Sequence, residues 1–151
     1  MCTMNIELRP CTDEDFEFAF EAKRQALGPH IDSKWGWDEE YQRSVHELRW
    51  KEKPWFLVTL DKEAIGTVSI HYLAEELVRF GEFYLLIEYQ GQGIGENVLK
   101  SFLAKCDRYR QRVKLEYLKW NPVGSLYKRN GFRIVSENDI HYFLEREPRA
   151  H

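Results

Sequence analysis

Glycines at alternate positions are the feature of this 151-residue sequence that bears most directly on chemistry. They lie in the run Gln90-Gly91-Gln92-Gly93-Ile94-Gly95, between a strand-like segment and a helix-like one. Glycine lets the backbone approach a ligand closely, and the first amides of a helix have no acceptor within the helix. Such a loop suits a phosphate or pyrophosphate group, although a glycine-rich turn without a ligand has the same composition.

Two nucleotide-binding patterns fit this loop poorly. The dinucleotide pattern G-x-G-x-x-G requires glycine at position 96, where the sequence has Glu96, and no P-loop lysine follows the glycines. Both nucleotide interpretations are therefore weakened, and the rest of the sequence has to decide what the loop binds.

Two helices are predicted near the start of the chain. Alternation over Ile6–Arg9 indicates a first strand, which stops at the following proline because proline cannot donate a ladder hydrogen bond. Thr12 is a suitable cap for the first helix, which we expect to end near Gly28-Pro29. The second helix begins at Asp38 and is predicted to have one apolar side, formed by Tyr41, Val45, Leu48 and Trp50.

The elements around the glycine loop follow from hydrophobic patterning. Trp55–Leu60 and Ala64–Ile70 read as strands joined by a hairpin turn, and a third strand runs from about Val78 to Ile87. The helix after the loop has one apolar face, formed by Ile94, Val98, Leu99, Phe102 and Leu103. The remaining elements are a strand over Val113–Tyr117, a short helix capped by Asn121 and closed by Asn130-Gly131, and strands over Phe132–Val135 and Ile140–Leu144.

Composition and charge limit the classes of protein. A hydrophobic content of 43% and the chain length predict a single domain over residues 1–151. A net charge of -3 provides no basic field for nucleic acid or an anionic membrane. Three cysteines without metal-like spacing predict free thiols and no metal. Because neither a secretory signal nor a run of about 18 apolar residues is evident, we expect a cytoplasmic protein without a membrane partner.

Two blocks of the sequence resemble signatures of the GNAT N-acetyltransferase superfamily. The glycine loop matches Gln/Arg-x-x-Gly-x-Gly/Ala, and the segment from Asn121 to Phe132 resembles Asn-Pro-Ala-x-x-Leu-Tyr-x-x-x-Gly-Phe. The order of the predicted elements is also similar to the GNAT plan. The resemblance implies an α/β (α+β) fold whose central sheet is mixed but mostly antiparallel, with about seven strands flanked by about four helices.

The resemblance also implies acetyl-CoA as cosubstrate. In the family the pyrophosphate lies on the amides of the signature loop, here Gln90, Gly91, Gln92, Gly93, Ile94 and Gly95. The pantetheine arm pairs like an extra strand with the segment before the loop, here Leu85, Leu86 and Ile87. Many relatives have proline where this chain has Ile87, a departure expected to leave the amide at that position free. Asn121 contacts the cofactor in relatives, and its N-cap role is an equally complete explanation.

Acetyl transfer to an amine requires a neutral amine, a donor for the oxyanion and an acid for the leaving thiolate. Tyr127 matches the family's acid, and a phenol with a pKa of about 10 stays protonated at neutral pH. An aromatic side chain that only packs on a short helix is the alternative. Glu82 lies where several relatives carry a catalytic glutamate, and alternation places it on the face opposite Leu85. An ion-paired strand carboxylate explains Glu82 equally well, His71 is a weaker second candidate, and relatives that use a water chain need no single base.

Aromatic and acidic residues are mixed between the first two helices, the region that lines the acceptor groove in GNAT proteins. Trp35, Trp37, Asp38 and Glu39 offer ring faces and charge to a cation. The run Trp-Gly-Trp-Asp-Glu also resembles a motif of a bacterial branch of the family. Alternatively, the tryptophans anchor the loop to the core and the carboxylates cap the next helix.

The function implied by the resemblance is acetyl-CoA-dependent N-acetylation of a primary amine, by direct attack in a ternary complex. The acceptor is expected to be a small-molecule or protein amine, cationic if the acidic segment binds it. The alternative is a non-catalytic acyl-CoA sensor or partner-binding module with the same fold. Because dimers are common in the family, a homodimer is a further expectation.

Overall fold

The computed structural model describes residues 5–52 and 54–150. Its strands are β1 (Ile6–Pro10), β2 (Trp55–Leu60), β3 (Glu63–Ala74), β4 (Leu77–Leu85), β5 (Arg112–Leu118), β6 (Arg133–Glu137) and β7 (His141–Arg146). Its helices are α1 (Phe16–Trp35), α2 (Glu39–Glu52), α3 (Ile94–Arg108) and α4 (Gly124–Arg129), with 3-10 turns at Asp13–Asp15 and Ile87–Tyr89. Among the described residues, no helix is both long and apolar enough to cross a bilayer.

The strands form one seven-stranded sheet in the order β1-β2-β3-β4-β5-β7-β6. Strands β4 and β5 pair in parallel, whereas the pairs β1–β2, β2–β3, β5–β7 and β6–β7 are antiparallel. The predicted fold class, a mixed and mostly antiparallel sheet with four helices, is therefore confirmed. The strands predicted from patterning are all present, with ends that shift by a few residues.

The described residues fall into two compact units. The first comprises the chain up to Ile70 together with Glu82–Gln92, and it has a core of buried residues on β2 and β3: Leu57, Val58, Ile65 and Val68. The second comprises His71–Gly81 and the chain from Gly93 onward. Its core is formed by the predicted apolar face of α3, which packs Phe102 against Phe80 with ring centroids 5.0 Å apart.

Helix α1 continues through Pro29 to Trp35, so the end predicted near Gly28-Pro29 is wrong. A proline inside a helix costs about 3 kcal/mol because it removes one hydrogen bond and crowds the preceding turn. Leu27 and Ile31, on either side of the proline, are both buried, and each such side chain stabilises by about 1.5–3 kcal/mol. Their burial offsets the cost of the proline, and the helix continues.

Helix α2 begins after Asp38 as predicted, but it buries a different side. Tyr41 and Leu48 are 61% and 63% exposed, whereas Gln42 and His46 are buried. The prediction of an inward stripe through Tyr41 and Leu48 is therefore wrong. The buried side of α2 instead carries His46, whose ring packs against aromatic side chains of α1 and β2.

The His46 imidazole lies in a cage of aromatic rings. Its ring centroid is 4.5 Å from that of Phe16 and 5.5 to 5.6 Å from those of Phe20, Trp50 and Trp55. Its Nε2–H donates to the Phe16 carbonyl oxygen at 3.1 Å. Burial lowers the pKa of His46, so the ring is the neutral tautomer and packs like another aromatic side chain.

Strand β4 ends at Leu85, two residues earlier than predicted, because Ile87–Tyr89 turns into a 3-10 helix. Within the strand Glu82 has a left-handed φ of 44°. Regular alternation is interrupted there, and both Glu82 and Leu85 are buried. The expectation that these residues lie on opposite faces assumed an unbroken pleat, and it stays a prediction.

Candidate functional site

The glycine loop contains two residues with a left-handed backbone. Gly91 has φ 73° and Gly93 has φ 81°, and a Cβ atom on either would meet nothing within 4 Å. Glycine is therefore required by backbone conformation rather than by crowding, and open space lies beside the chain. The glutamine side chains fold back: Gln90 Nε2 donates to the Leu85 carbonyl at 2.9 Å and Gln92 Nε2 to the Glu88 carbonyl at 2.6 Å.

Helix α3 begins directly after Gly93, which is its N-cap residue. The first intrahelical bond is donated by the Asn97 amide to the Gly93 carbonyl at 3.1 Å, so the three preceding amides have no acceptor within the helix. These amides and the positive end of the helix dipole suit an anion. The residues present therefore fit the pyrophosphate of a coenzyme A molecule.

Tyr127 on α4 is 7% exposed and sits among aromatic rings. Its ring stacks on Tyr117 with centroids 5.9 Å apart and meets Phe132 edge-on at 5.6 Å. Burial first, and then the neighbouring Tyr117, raises the pKa of Tyr127 above that of an exposed phenol. Within the described part of the chain no group forms a hydrogen bond with its hydroxyl. The phenol thus keeps its proton at ordinary pH and has it available for a ligand.

Glu96, in the first turn of α3, ties this helix to α4. Its carboxylate accepts from Arg129 Nε and Nη2, both at 3.0 Å, and from Asn130 Nδ2 at 2.9 Å. These contacts, with Arg129 first and Asn130 second, lower the pKa of Glu96 to about 2. The residue that interrupts a dinucleotide pattern therefore has a structural role, which sequence analysis missed because its partners lie more than thirty positions away.

The same C-terminal end of α4 also contacts a buried ion pair. Asn130 Nδ2 also donates to the Leu126 carbonyl at 2.8 Å, and the Asn130 carbonyl accepts from Arg146 Nε at 3.0 Å. Arg146 in turn donates twice to the Asp107 carboxylate, at 2.8 and 3.1 Å. Gly131, with φ 96°, closes α4 in the left-handed conformation that its sequence predicted. The helix that carries Tyr127 is thus connected to both ends of α3.

Glu82 is buried in the first unit and is paired with a cation. Its Oε1 accepts from Arg49 Nη1 at 3.0 Å, and its backbone carbonyl accepts from the Thr67 hydroxyl at 3.1 Å. The alternative interpretation of Glu82 from the sequence, a strand carboxylate in an ion pair, is therefore observed. A role as general base stays a prediction, and His71, half-buried in the second unit, stays a weaker candidate.

Comparison with known proteins decides the family. A family model described as "Acetyltransferase (GNAT) domain" matches residues 51–134, more than half of the chain. The chain belongs to the GNAT acetyltransferase family. Its general activity is therefore acetyl transfer. The resemblance found in the sequence is confirmed. Comparison of the sequence with curated proteins gives no match.

Solved GNAT structures resemble this chain over nearly its whole length. PaiA N-acetyltransferase from Thermoplasma acidophilum, in complex with coenzyme A, has a TM-score of 0.73 at 21% identity, covering 95% of this chain and 99% of that one. An acetyltransferase from Thermus thermophilus has a TM-score of 0.72 at 21% identity, with 97% and 99% covered. The Salmonella typhimurium protein yncA, with its cofactor acetyl-CoA, gives 0.61 at 16% identity, with 97% and 96% covered. At such identities the likeness shows the fold.

The segment expected to pair with pantetheine in this GNAT chain already has internal partners. The Leu86 amide donates to the Ile65 carbonyl at 2.9 Å, and the Ile87 amide donates to Gln25 Oε1 at 2.9 Å. The expectation that the amide at 87 is free is therefore wrong, because a glutamine on α1 accepts its proton. Pairing of Leu85, Leu86 and Ile87 with a cofactor stays a prediction.

Asn121 is not the cap of α4. It lies in a bend, where its amide donates to the Leu118 carbonyl at 2.9 Å and its carbonyl accepts from the Val123 amide at 2.8 Å. The helix starts at Gly124, and a Cβ atom at that position would lie 2.5 Å from the Tyr117 hydroxyl, so the site favours glycine. Contact of Asn121 with the cofactor, the other role drawn from the GNAT resemblance, stays a prediction.

The predicted acceptor residues have structural contacts in the first unit. The Trp37 amide donates to Asp32 Oδ1 and its indole Nε1 to Glu39 Oε1, both at 3.0 Å. Asp38 Oδ1 accepts from the Tyr41 amide at 3.1 Å and so caps α2. Trp35 is exposed. The capping role weighed in the sequence is thus observed for Asp38, and a substrate role for the four residues stays a prediction.

Proposed function

We propose that this GNAT protein transfers an acetyl group from acetyl-CoA to a primary amine. The observation that carries the proposal is Tyr127, a buried phenol on α4 whose hydroxyl has no partner in the described residues and whose pKa is raised. A group that stays protonated near a thioester is what departure of a thiolate requires. The structures of PaiA with coenzyme A and of yncA with acetyl-CoA support the choice of cosubstrate.

Acetyl-CoA supplies the activated acyl group when it is bound. The amides from Gly91 to Gly95 hold its pyrophosphate, whereas the Gln90 amide donates to the Ile87 carbonyl at 3.2 Å. The segment Leu85–Ile87 aligns the arm that carries the thioester. In the transfer a nitrogen–carbon bond forms and the carbon–sulfur bond breaks. The Tyr127 hydroxyl gives its proton to the departing sulfur and regains one from solvent.

The acceptor side of the proposal involves Glu82 and the acidic segment. Glu82 is a buried carboxylate that accepts a hydrogen bond from Arg49. This contact fixes the position of the carboxylate, and burial shields it from bulk water. It takes the amine proton directly or through water, and a cationic amine is the class of acceptor that such a carboxylate attracts. Trp35, Trp37, Asp38 and Glu39 guide that cation by ring faces and charge. The acceptor is the amine of a small molecule or of a protein. We propose neither a nucleic acid nor a membrane as a partner.

The cellular setting follows from the same proposal. Cys11 and Cys106 are free thiols, and burial, the largest cause, raises their pKa values to about 12 and about 11. Unreactive free thiols suit the reducing cytoplasm, where we place the protein. A homodimer is the assembly we expect from the habit of the family.

The direct test is replacement of Tyr127 by phenylalanine. We expect a fall in kcat of roughly 10²- to 10⁴-fold, with little change in acetyl-CoA affinity, because only the proton donor is lost. Release of free thiol from acetyl-CoA is measured across a panel of amines. Tyr142→Phe, which removes a hydroxyl from a ring that also packs on Tyr117, serves as the matched control and is expected to keep turnover.

Two results would change the assignment. Unchanged turnover in Tyr127→Phe removes its role as acid. Tight binding of acetyl-CoA by the wild type without thiol release from any amine favours the non-catalytic acyl-CoA sensor instead.

A further inference from the structure

The chain that leaves β4 is held from outside by a side chain of α1. The Ile87 side chain is 65% exposed, so its packing contributes little to the position of this segment. Its amide, however, donates to Gln25 Oε1 at 2.9 Å, across 62 positions of sequence. A long-range hydrogen bond, rather than side-chain burial, therefore holds this segment in position.

Gln25 is itself oriented by its neighbours on α1. Its Nε2 donates to Glu21 Oε2 at 2.8 Å, and Glu21 also accepts from Arg24 Nε at 2.7 Å. The contact with Arg24, the largest cause, lowers the pKa of Glu21, so the carboxylate is an ionised acceptor at neutral pH. With the amide nitrogen of Gln25 directed to Glu21, its oxygen is the atom presented to Ile87.

We propose that Gln25 is a positioning residue for acetyl-CoA, because it orders the Leu85–Ile87 segment along which the pantetheine arm is aligned. The inference rests on the proposed function and adds a residue to the same site. Gln25 acts through the backbone of Ile87 and does not touch the cosubstrate. Loss of the Gln25 oxygen lets the segment leave its bound-state geometry, and the affinity for acetyl-CoA falls.

The backbone at this point also accommodates proline. Leu86 has φ -57° and ψ 146°, the extended conformation that a residue before proline adopts, and Ile87 is the first residue of a 3-10 turn. Proline is well tolerated at a first helical position, where a missing N–H leaves no acceptor unsatisfied within the helix. A proline at 87 removes the donor that Gln25 satisfies and restricts φ at the same residue. The hydrogen bond from Ile87 to Gln25 and a proline at position 87 are therefore alternative ways to fix this segment.

This equivalence gives a rescue experiment. Gln25→Ala is expected to weaken acetyl-CoA binding by about 2- to 12-fold, the range for one net hydrogen bond, as measured by calorimetric titration of the folded protein. Adding Ile87→Pro to Gln25→Ala is expected to restore affinity to within about twofold of the wild type. Gln111→Ala, which removes a glutamine bonded to the Glu75 carbonyl, is the matched control and is expected to bind normally.

The outcomes separate this inference from the proposed function. Equal affinity of Gln25→Ala and the wild type overturns the inference and leaves the proposed function standing. Weak binding that Ile87→Pro does not repair also overturns it, because the loss then does not pass through the amide. Failure of the folded wild type to bind acetyl-CoA overturns both. Amide hydrogen exchange at Ile87, expected to be faster in Gln25→Ala, is a second measurement that requires no cosubstrate.

Discussion

Helices α2 and α3 both have apolar residues at helical spacing, yet only α3 buries the face that its pattern predicts. On α3 the whole stripe is buried, with Leu99 completely inaccessible. On α2 the apolar Leu48 faces solvent, while His46 and Gln42 face inward. The difference shows that hydropathy predicts burial on α3, where Phe102 packs against Phe80. It fails where the packing partner is a cluster of aromatic rings that accommodates a neutral imidazole.

The two helices also differ in how charge contributes. Helix α3 carries Glu96 near its start and Asp107 near its end, and each pairs with an arginine of the same unit. Helix α2 has no buried carboxylate among its described residues, and its buried polar groups, the Gln42 amide and the neutral His46 ring, are uncharged. Three substitutions or conditions test this contrast, beginning with the largest expected effect.

Asp107→Ala is expected to destabilise the protein most. It leaves Arg146 buried without its carboxylate, and loss of one partner of a buried pair costs about 3–5 kcal/mol. The free energy of unfolding in urea measures the effect. Lys119→Ala, which breaks a surface pair with Glu137, is the control and is expected to cost under about 1 kcal/mol. Similar losses in both variants would show that charge burial on α3 is unimportant.

The same substitution, leucine to alanine, tests how much the apolar residues of α3 and of α2 each contribute to stability. Leu99→Ala on α3 is expected to cost about 2–5 kcal/mol because it leaves a cavity in the core. Leu48→Ala on α2 is expected to change stability by less than about 0.5 kcal/mol, since that side chain is already exposed. Thermal and urea unfolding of both variants measure the difference. Comparable destabilisation would mean that α2 buries the stripe predicted from its sequence.

The pH dependence of stability tests the His46 cage. The folded pKa of His46 is lowered by burial, whereas the unfolded value is about 6.5. As the pH falls below about 6.5 the unfolded chain binds a proton that the folded chain does not, so stability decreases by up to about 1.4 kcal/mol per pH unit. Urea unfolding between about pH 7 and about pH 5 measures this slope. His46→Phe, which keeps a ring in the cage, is expected to abolish it, and an unchanged slope would assign the effect elsewhere.

Local patterns predicted much of the fold, including the glycine loop between β4 and α3. The strands, the apolar face of α3, the glycines of the loop and the left-handed Gly131 all depend on residues that are close in sequence. The failures involve distant partners. Burial beyond Pro29 prolongs α1, and the Gln25 side chain accepts the hydrogen bond of the Ile87 amide. No local pattern of a single sequence contains those contacts.

Binding of acetyl-CoA to the glycine loop tests the central claim most directly. Calorimetric titration of the wild type and of Gly93→Val decides it, because valine strongly disfavours the left-handed conformation with φ 81° that residue 93 adopts. We expect micromolar affinity in the wild type and its loss in a variant that remains folded. A folded wild type that does not bind acetyl-CoA, or a variant that binds equally well, would contradict the account.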